Sequence, residues 1–340
     1  MSYADTLFIN MCQDIIENGI SDKNESVRPI WTDGKEAHTL KNFCVVNRYD
    51  LSKEFPILTI RKIPLSLCVD EMLWIWQKKS NKIKDLKSSV WDEWTDKDGT
   101  IGKAYGFQMS KLSLYKDINT NSLVKAFGES KLIPLSSDNV EQELLLPKTY
   151  KNLPITYDYM YYNKGYKAFH VKEFENVWAL DQTDITIYLL KINPFSRRIV
   201  TNLFNHDDLI EMNLYPCAYS MTFNVTKDKD GNKVLNGILN QRSQDILAAN
   251  GWNVSQYAVL LHLLALTCDM KAGEFVHVIA DAHIYDRHIS TVKELIKMDT
   301  HEAPKLIINK KDSFYDYTPN DIKLENYTYS SEVKNIEIAV

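Results

Sequence analysis

A chain of 340 residues that is 44% hydrophobic and 25% charged can bury a core, which excludes disorder as its default state. Its net charge of −5 comes without a basic block and argues against a nucleic-acid groove; its five cysteines are odd in number, scattered and free of any C-x-x-C pair, which argues against a disulfide framework or a zinc site. The start Met-Ser-Tyr-Ala-Asp lacks a basic leader region and the longest apolar run, Ala258–Cys268, is too short to span a bilayer, so the expectation is an unprocessed, cytoplasmic protein outside membranes.

Residues 3–18 place Leu7, Phe8, Met11, Ile15 and Ile16 on one helical stripe that Gly19 can stop. A loop with Arg28, Trp31 and Asp33-Gly34 follows, in which an arginine is most simply a solvated charge. Residues 41–49 and 55–63 are rich in Val, Ile, Phe and Thr and read as strands, and Pro64 opens a helix to about Lys78. Glu71 is the anomaly of that helix. Its neighbours Leu67, Cys68, Trp74 and Ile75 are apolar, whereas Asp70 can face outward. A carboxylate on the buried face suits proton transfer, but a glutamate at a partly exposed boundary fits the same pattern. Residues 78–87 read as a lysine-rich, solvated helical face. Val90, Trp91, Trp94 and Tyr105-Gly106 lie in a turn-rich region, where aromatics can be core and a tyrosine hydroxyl a common buried hydrogen-bonding group. The tyrosine-rich stretch 110–180, with Tyr157, Tyr159, Tyr161 and Tyr162, lacks a long helical stripe and reads as a small ordered subdomain with no catalytic signature.

Further on, Ser196-Arg197-Arg198 precedes a strand at 199–203, and a surface pair is the simplest reading of the two arginines. Strands at 223–225 and 234–239 are joined by the turn Lys229-Asp230-Gly231-Asn232, and Gln241-Arg242-Ser243 ends the hairpin with a hydroxyl and a guanidinium fork suited to an anion. Cys217 follows Pro216, which removes a donor and fixes φ, so the thiol belongs to a rigid, partly accessible turn. A guanidinium nearby would lower its pKa and make Arg242 an activator; spacing alone favours a small buried hydrophobe beside a surface charge. Asn253 precedes a buried helix at 254–268 and, with Gln256, also forms a capping-box pattern. Strand 275–279 leads into Asp281-Ala-His283-Ile-Tyr285, whose His and Tyr share a face, and the tail 336–340 is apolar without a regular element.

The pieces Pro216-Cys217, Gln241-Arg242-Ser243-x-Asp245, Asn253-Val-x-x-Tyr257, Gly273-Glu-Phe-x-His277 and Asp281-Ala-His283-Ile-Tyr285 stand in the order and at about the spacings of thymidylate synthase. The chain resembles that family from Arg28 onward, apart from roughly 110–180. The resemblance implies one α/β (α+β) domain over residues 1–340, built on a large mixed β-sheet with flanking helices and carrying a family-atypical insertion at about 110–180. It also implies a homodimer that converts dUMP to dTMP with 5,10-methylenetetrahydrofolate, with no metal and no obligatory nucleic acid.

By the same resemblance Cys217 is the nucleophile, Glu71 organises water and protons, and Tyr105 serves proton abstraction from pyrimidine carbon 5. Arg242, Asn253 and Asp245 complete the catalytic set, Asn253 reading the uracil edge and Asp245 holding the pterin. Arg28, Gln241 and Ser243 bind the nucleotide, His283 and Tyr285 its 3′ hydroxyl, and Arg197 and Arg198 reach the partner's phosphate across the interface. Val90, Trp91 and Trp94 form the folate wall, on which the tail with Ala339 closes. The family pattern Leu-Gly-x-Pro-Phe-Asn is replaced by Ala248-Ala249-Asn250-Gly251-Trp252-Asn253, and Ala218 stands where many members carry His. A deoxypyrimidine monophosphate hydroxymethylase of the same fold and an inactive nucleotide- or RNA-binding relative are the alternatives, separable by product mass and by turnover.

Overall fold

The computed structural model describes residues 2–135 and 145–340. Its centre is a twisted mixed sheet ordered Ile20–Ser21, Thr39–Asp50, Lys271–Tyr285, Lys233–Gln241, Ala218–Lys227 and Val200–Asn202, with Gln244–Asp245 added beside Lys271–Tyr285. Neighbours are antiparallel except where Lys233–Gln241 and Gln244–Asp245 run parallel to Lys271–Tyr285. This is the large mixed sheet with flanking helices expected from the resemblance. Along Lys271–Tyr285, Phe275, His277 and Ile279 are buried and alternate with half-exposed Val276 and Val278, the period of two that a sheet covered on one face requires.

Helix Asn250–Thr267, apolar on almost every side, lies on the covered face and packs between the sheet and helix Leu65–Trp76. It begins earlier than expected. The capping position is Ala249, with no side-chain cap bond, so Asn253 sits inside the first turn and its amide is not used as a cap. Gly251 lets this turn press on residues 58–63, because a Cβ there would stand 2.7 Å from Ile63 Cδ1 and 2.9 Å from Leu58 Cδ1.

The expected strand at 55–63 is an irregular buried segment. Three of its backbone N–H groups are satisfied by side chains, Asp5 accepting from Thr59 and Ile60 and the Tyr327 hydroxyl from Ile63, while Lys62 donates to the distant Ser331 carbonyl. Residues 78–87 form turns around a short 3-10 helix, Ile83–Asp85, because the Ser80 hydroxyl and carboxylate of Asp85 bond to each other and compete with helix formation. Asp70 does not face outward; it is buried and accepts the Lys87 backbone N–H. A helix at Gln182–Ile192, capped by Asp181, precedes the Ser-Arg-Arg turn.

Within 110–180 a five-stranded sheet runs Ser113–Lys116, Val177–Leu180, Tyr166–Val171, Tyr157–Asn163, Leu132–Pro134, flanked by helix Thr120–Phe127 with an Asn119/Ser122 capping box. Tyr157 and Tyr161 point into its packing while Tyr159 and Tyr162 are exposed. Residues 136–144 of that stretch lie outside the described ones. Among the described residues no helix is long and apolar enough to cross a membrane.

Candidate active site

Cys217 immediately precedes strand Ala218–Lys227, and Gln241 ends the strand paired with it, so Ala218 and Gln241 are cross-strand partners. This register brings the thiol and Arg242 together. The Arg242 backbone N–H donates to Cys217 O (3.0 Å), and its guanidinium donates to the carbonyls of Pro216 and Tyr215 and stands 3.7 Å from Cys217 Sγ. Cys217 is half-buried on the wall of a 480 Å³ cavity. Burial pushes its thiol pKa up, while Arg242, Arg28 and Tyr105 pull it down, and burial prevails. The expected activation by Arg242 is therefore present but outweighed by burial.

The backbone N–H of Cys217 donates to the Tyr105 hydroxyl (3.0 Å). Tyr105 has φ +43°, a conformation rare outside glycine. Gly106 fixes this turn, since a Cβ on it would meet the Ser80 carbonyl oxygen at 2.0 Å. The Tyr105 ring stands edge-on to Trp91, with centroids 4.8 Å apart, and Trp91 stands edge-on to Trp94 at 5.8 Å. These two indoles and Val90 make an apolar wall of the cavity.

Glu71 is 6% exposed, and burial pushes its carboxyl up to about 7. Trp252 Nε1 donates to its Oε2 at 2.9 Å. Opposite, Asn253 Oδ1 accepts from the side-chain amides of Gln241 and Gln244, both at 3.2 Å, and Asn253 Nδ2 donates to Gln256 Oε1 at 3.3 Å. Behind Gln241 stands His277, fully buried, with Nε2 2.8 Å from Gln241 Oε1. Burial drives its pKa down to about 3, so the ring is neutral. A neutral ring facing an amide oxygen donates from Nε2, which orients Gln241 and, through it, Asn253.

Parallel pairing of Gln244–Asp245 with Ala282–His283 sets Asp245 beside the His-x-Tyr pair. His283 Nδ1 is 2.7 Å from Asp281 Oδ1, and the rings of His283 and Tyr285 meet edge-on at 5.0 Å. Asp245 Oδ1 accepts the Ala248 N–H, and His288 Nδ1 lies 3.7 Å from Asp245 Oδ2. His288 Nε2 reaches Glu337 O at 2.9 Å, and Ile30 and Val340 exchange a pair of backbone hydrogen bonds. The tail is thus strapped over the Arg28 loop. That brings Ile338 and Ala339 to the rim of the same cavity.

The cavity gathers every residue expected from the sequence except Arg197 and Arg198, which are exposed in the turn before Val200 and contribute nothing to this chain's own cavity. Residues to which the sequence assigned no site role also belong to the site: Trp252, Gln256 and Gln244 line it, while His277 and His288 stand behind it. Arg61, buried and donating to the Leu247 carbonyl, places a cation near Asp245; beside Lys62 in the sequence it reads as one more surface charge. No group of three His, Cys, Asp or Glu side chains among the described residues is arranged to hold a metal ion.

A family model described as Thymidylate synthase matches residues 6–340. The thymidylate synthase of Bacillus mojavensis is 34% identical over the full length of both chains, and that of Clostridium beijerinckii 33% identical over 98% of each. Among solved structures, the thermostable thymidylate synthase A from Bacillus subtilis superposes with a TM-score of 0.74 at 34% identity, covering 99% of each chain.

Proposed function

This chain belongs to the thymidylate synthase family, and from that premise we propose that it converts dUMP to dTMP in the cavity bearing Cys217. The observation that carries the assignment is the gathering of a thiol, a guanidinium, a buried carboxylate and an oriented carboxamide around one aromatic-walled cavity. In this reading the Cys217 sulfur, as thiolate, bonds to pyrimidine carbon 6 and moves an electron pair onto carbon 5, which makes carbon 5 a nucleophile. Once carbon 5 has formed its bond to the one-carbon unit, the Tyr105 hydroxyl takes up the carbon 5 proton, Glu71 relays protons to the pyrimidine, and loss of the carbon–sulfur bond frees the product. Arg28, Arg242 and Ser243 hold the phosphate, Gln241 orients Asn253 on the base, and His283 and Tyr285 take the 3′ hydroxyl.

The co-substrate 5,10-methylenetetrahydrofolate supplies the one-carbon unit and the hydride. The residues present suit it: Val90, Trp91 and Trp94 offer flat apolar surface for a pterin, Asp245 an acceptor for its N–H groups, and the strapped tail at Ala339 a cover that excludes water. With dUMP and this folate the protein is expected to release dTMP and dihydrofolate in equal amounts. A hydroxymethylated product, or no turnover, would overturn the assignment.

The functional unit in this proposal is a cytoplasmic homodimer of single-domain chains. Support comes from the uncovered sheet face, where Val200, Thr222, Ile238 and Val276 form one row across four strands, with Val46 and Phe43 exposed nearby. Arg197 and Arg198 stand at the edge of that face, so a second copy stacked on it can receive them at its phosphate. Mixing Cys217→Ala with Arg197→Ala subunits is expected to restore one working site per heterodimer. No recovery after demonstrated subunit exchange would exclude action across the interface.

A further inference from the structure

Resting on the reading of Glu71 as a proton-handling carboxylate, we propose that Trp252 is its positioning residue: the indole N–H fixes Oε2 and leaves Oε1 as the oxygen presented to reacting groups. The two residues come from different helices, Glu71 from the middle of Leu65–Trp76 and Trp252 from the first turn of Asn250–Thr267. Their bond of 2.9 Å therefore spans the packing of these helices and depends on how closely they approach.

Gly251 leaves room for that approach, since a Cβ at this position would stand 2.7 Å from Ile63 Cδ1 and 2.9 Å from Leu58 Cδ1, and those side-chain ends would have to turn aside. The ring is half-buried, packed against the core on one side and lining the cavity on the other. Other donors stand near the carboxylate. Trp91 and Gln256 both favour its charged form, yet Trp91 Nε1 and Gln256 Nε2 have no partner within hydrogen-bonding geometry, so the directed bond is that of Trp252.

The titratable groups around Glu71 are Asp70 and Cys68 of its own helix, Tyr105, and Tyr257 of the facing helix, and no cation ranks among the largest influences on its carboxyl. Where no cation dominates, a hydrogen bond is a direct means of holding this carboxylate ionised and aimed. The sequence pattern that the loop otherwise resembles carries Phe at this place, and a phenyl ring cannot donate. Trp252 therefore gives this chain a way of setting Glu71 that the Gly251 departure of its loop accommodates.

Trp252→Phe removes the N–H with some volume, and replacing the indole of Trp252 by its benzothiophene isostere removes the N–H alone. Both are expected to lower kcat about tenfold, a fraction of what proton transfer by a positioned group contributes, with KM for dUMP unchanged within about twofold. A second readout needs neither substrate. In infrared difference titrations of the free protein, assigned by comparison with Glu71→Gln, the carboxyl of Glu71 is expected to titrate about one to two pH units higher in both variants. In a Glu71→Gln background the Trp252→Phe change is expected to add no further loss.

Wild-type kcat and titration in the benzothiophene protein would overturn the inference, as would an equal additional loss in the Glu71→Gln background. Undiminished turnover in Glu71→Gln alone would instead overturn the underlying reading of Glu71, so the two failures are distinguishable.

Discussion

Cys217→Ala is expected to lower turnover by about 10⁴-fold or more while leaving the affinity for dUMP within about threefold of wild type. The disproportion follows from where the sulfur stands. Its polar neighbours include the Arg242 guanidinium at 3.7 Å, the Tyr215 carbonyl at 4.0 Å and the Tyr105 hydroxyl, and Arg242 keeps its bonds to Pro216 and Tyr215 when the sulfur is gone. The turn itself is held by backbone bonds, from Arg242 N–H to Cys217 O and from Cys217 N–H to the Tyr105 hydroxyl, which alanine retains. Binding groups on the cavity wall thus stay in place, and the reacting atom alone is lost. Equilibrium dialysis of dUMP against the variant, beside a turnover assay, tests both halves. Retained turnover would remove Cys217 as the nucleophile, and loss of dUMP binding would mean that the sulfur is structural.

The second large effect is expected at Asn253. Asn253→Asp should shift the ratio of kcat/KM for dUMP over that for dCMP toward dCMP by at least about tenfold, since each mismatched buried hydrogen bond costs about 1–3 kcal/mol. Uracil offers a donor at position 3 and an acceptor at position 4, and cytosine reverses both. An amide supplies one acceptor and one donor, whereas an ionised aspartate supplies only acceptors and repels the uracil carbonyl. Gln241 and Gln244 both donate to Asn253 Oδ1, so they fix which end of the amide is the acceptor. Contact of that oxygen with a ring N–H needs one of the two glutamines to turn. Because the comparison is a ratio, general damage to the fold cancels. An unchanged ratio would mean that Asn253 serves only the glutamine network, and its role as base reader would be dropped.

The residues most visible in the sequence were those set in short motifs at the ends of strands. Cys217 and Arg242 are 25 positions apart, but both flank one hairpin, and once its register is known their contact follows. Glu71 was visible because apolar neighbours surround it on its own helix. What the sequence hid depends on distant partners. Residues 55–63 have the composition of a strand, yet their hydrogen bonds go to Asp5, Tyr327 and Ser331, which no local pattern can reveal. The helix Gln182–Ile192 is rich in β-branched Thr and Ile, whose low helix propensity conceals it, although Asp181 marks its start. Asn253 and Gln256 imitate a capping box, but the helix begins four residues earlier than that box implies, with Ala249 at the cap. The Trp252–Glu71 bond joins positions 181 apart through the packing of two helices.

Three of the chain's seven tryptophans, Trp91, Trp94 and Trp252, stand on the wall of a single cavity. Indole emission responds to the polarity around the ring and to charge beside it, so this wall acts as a built-in optical reporter. An aromatic compound stacked on Trp91 or Trp94 would quench them directly, and a change in the charge on Glu71 would be registered by Trp252, its hydrogen-bonding partner. Filling of the cavity can then be followed by the protein's own fluorescence, without a label and without turnover.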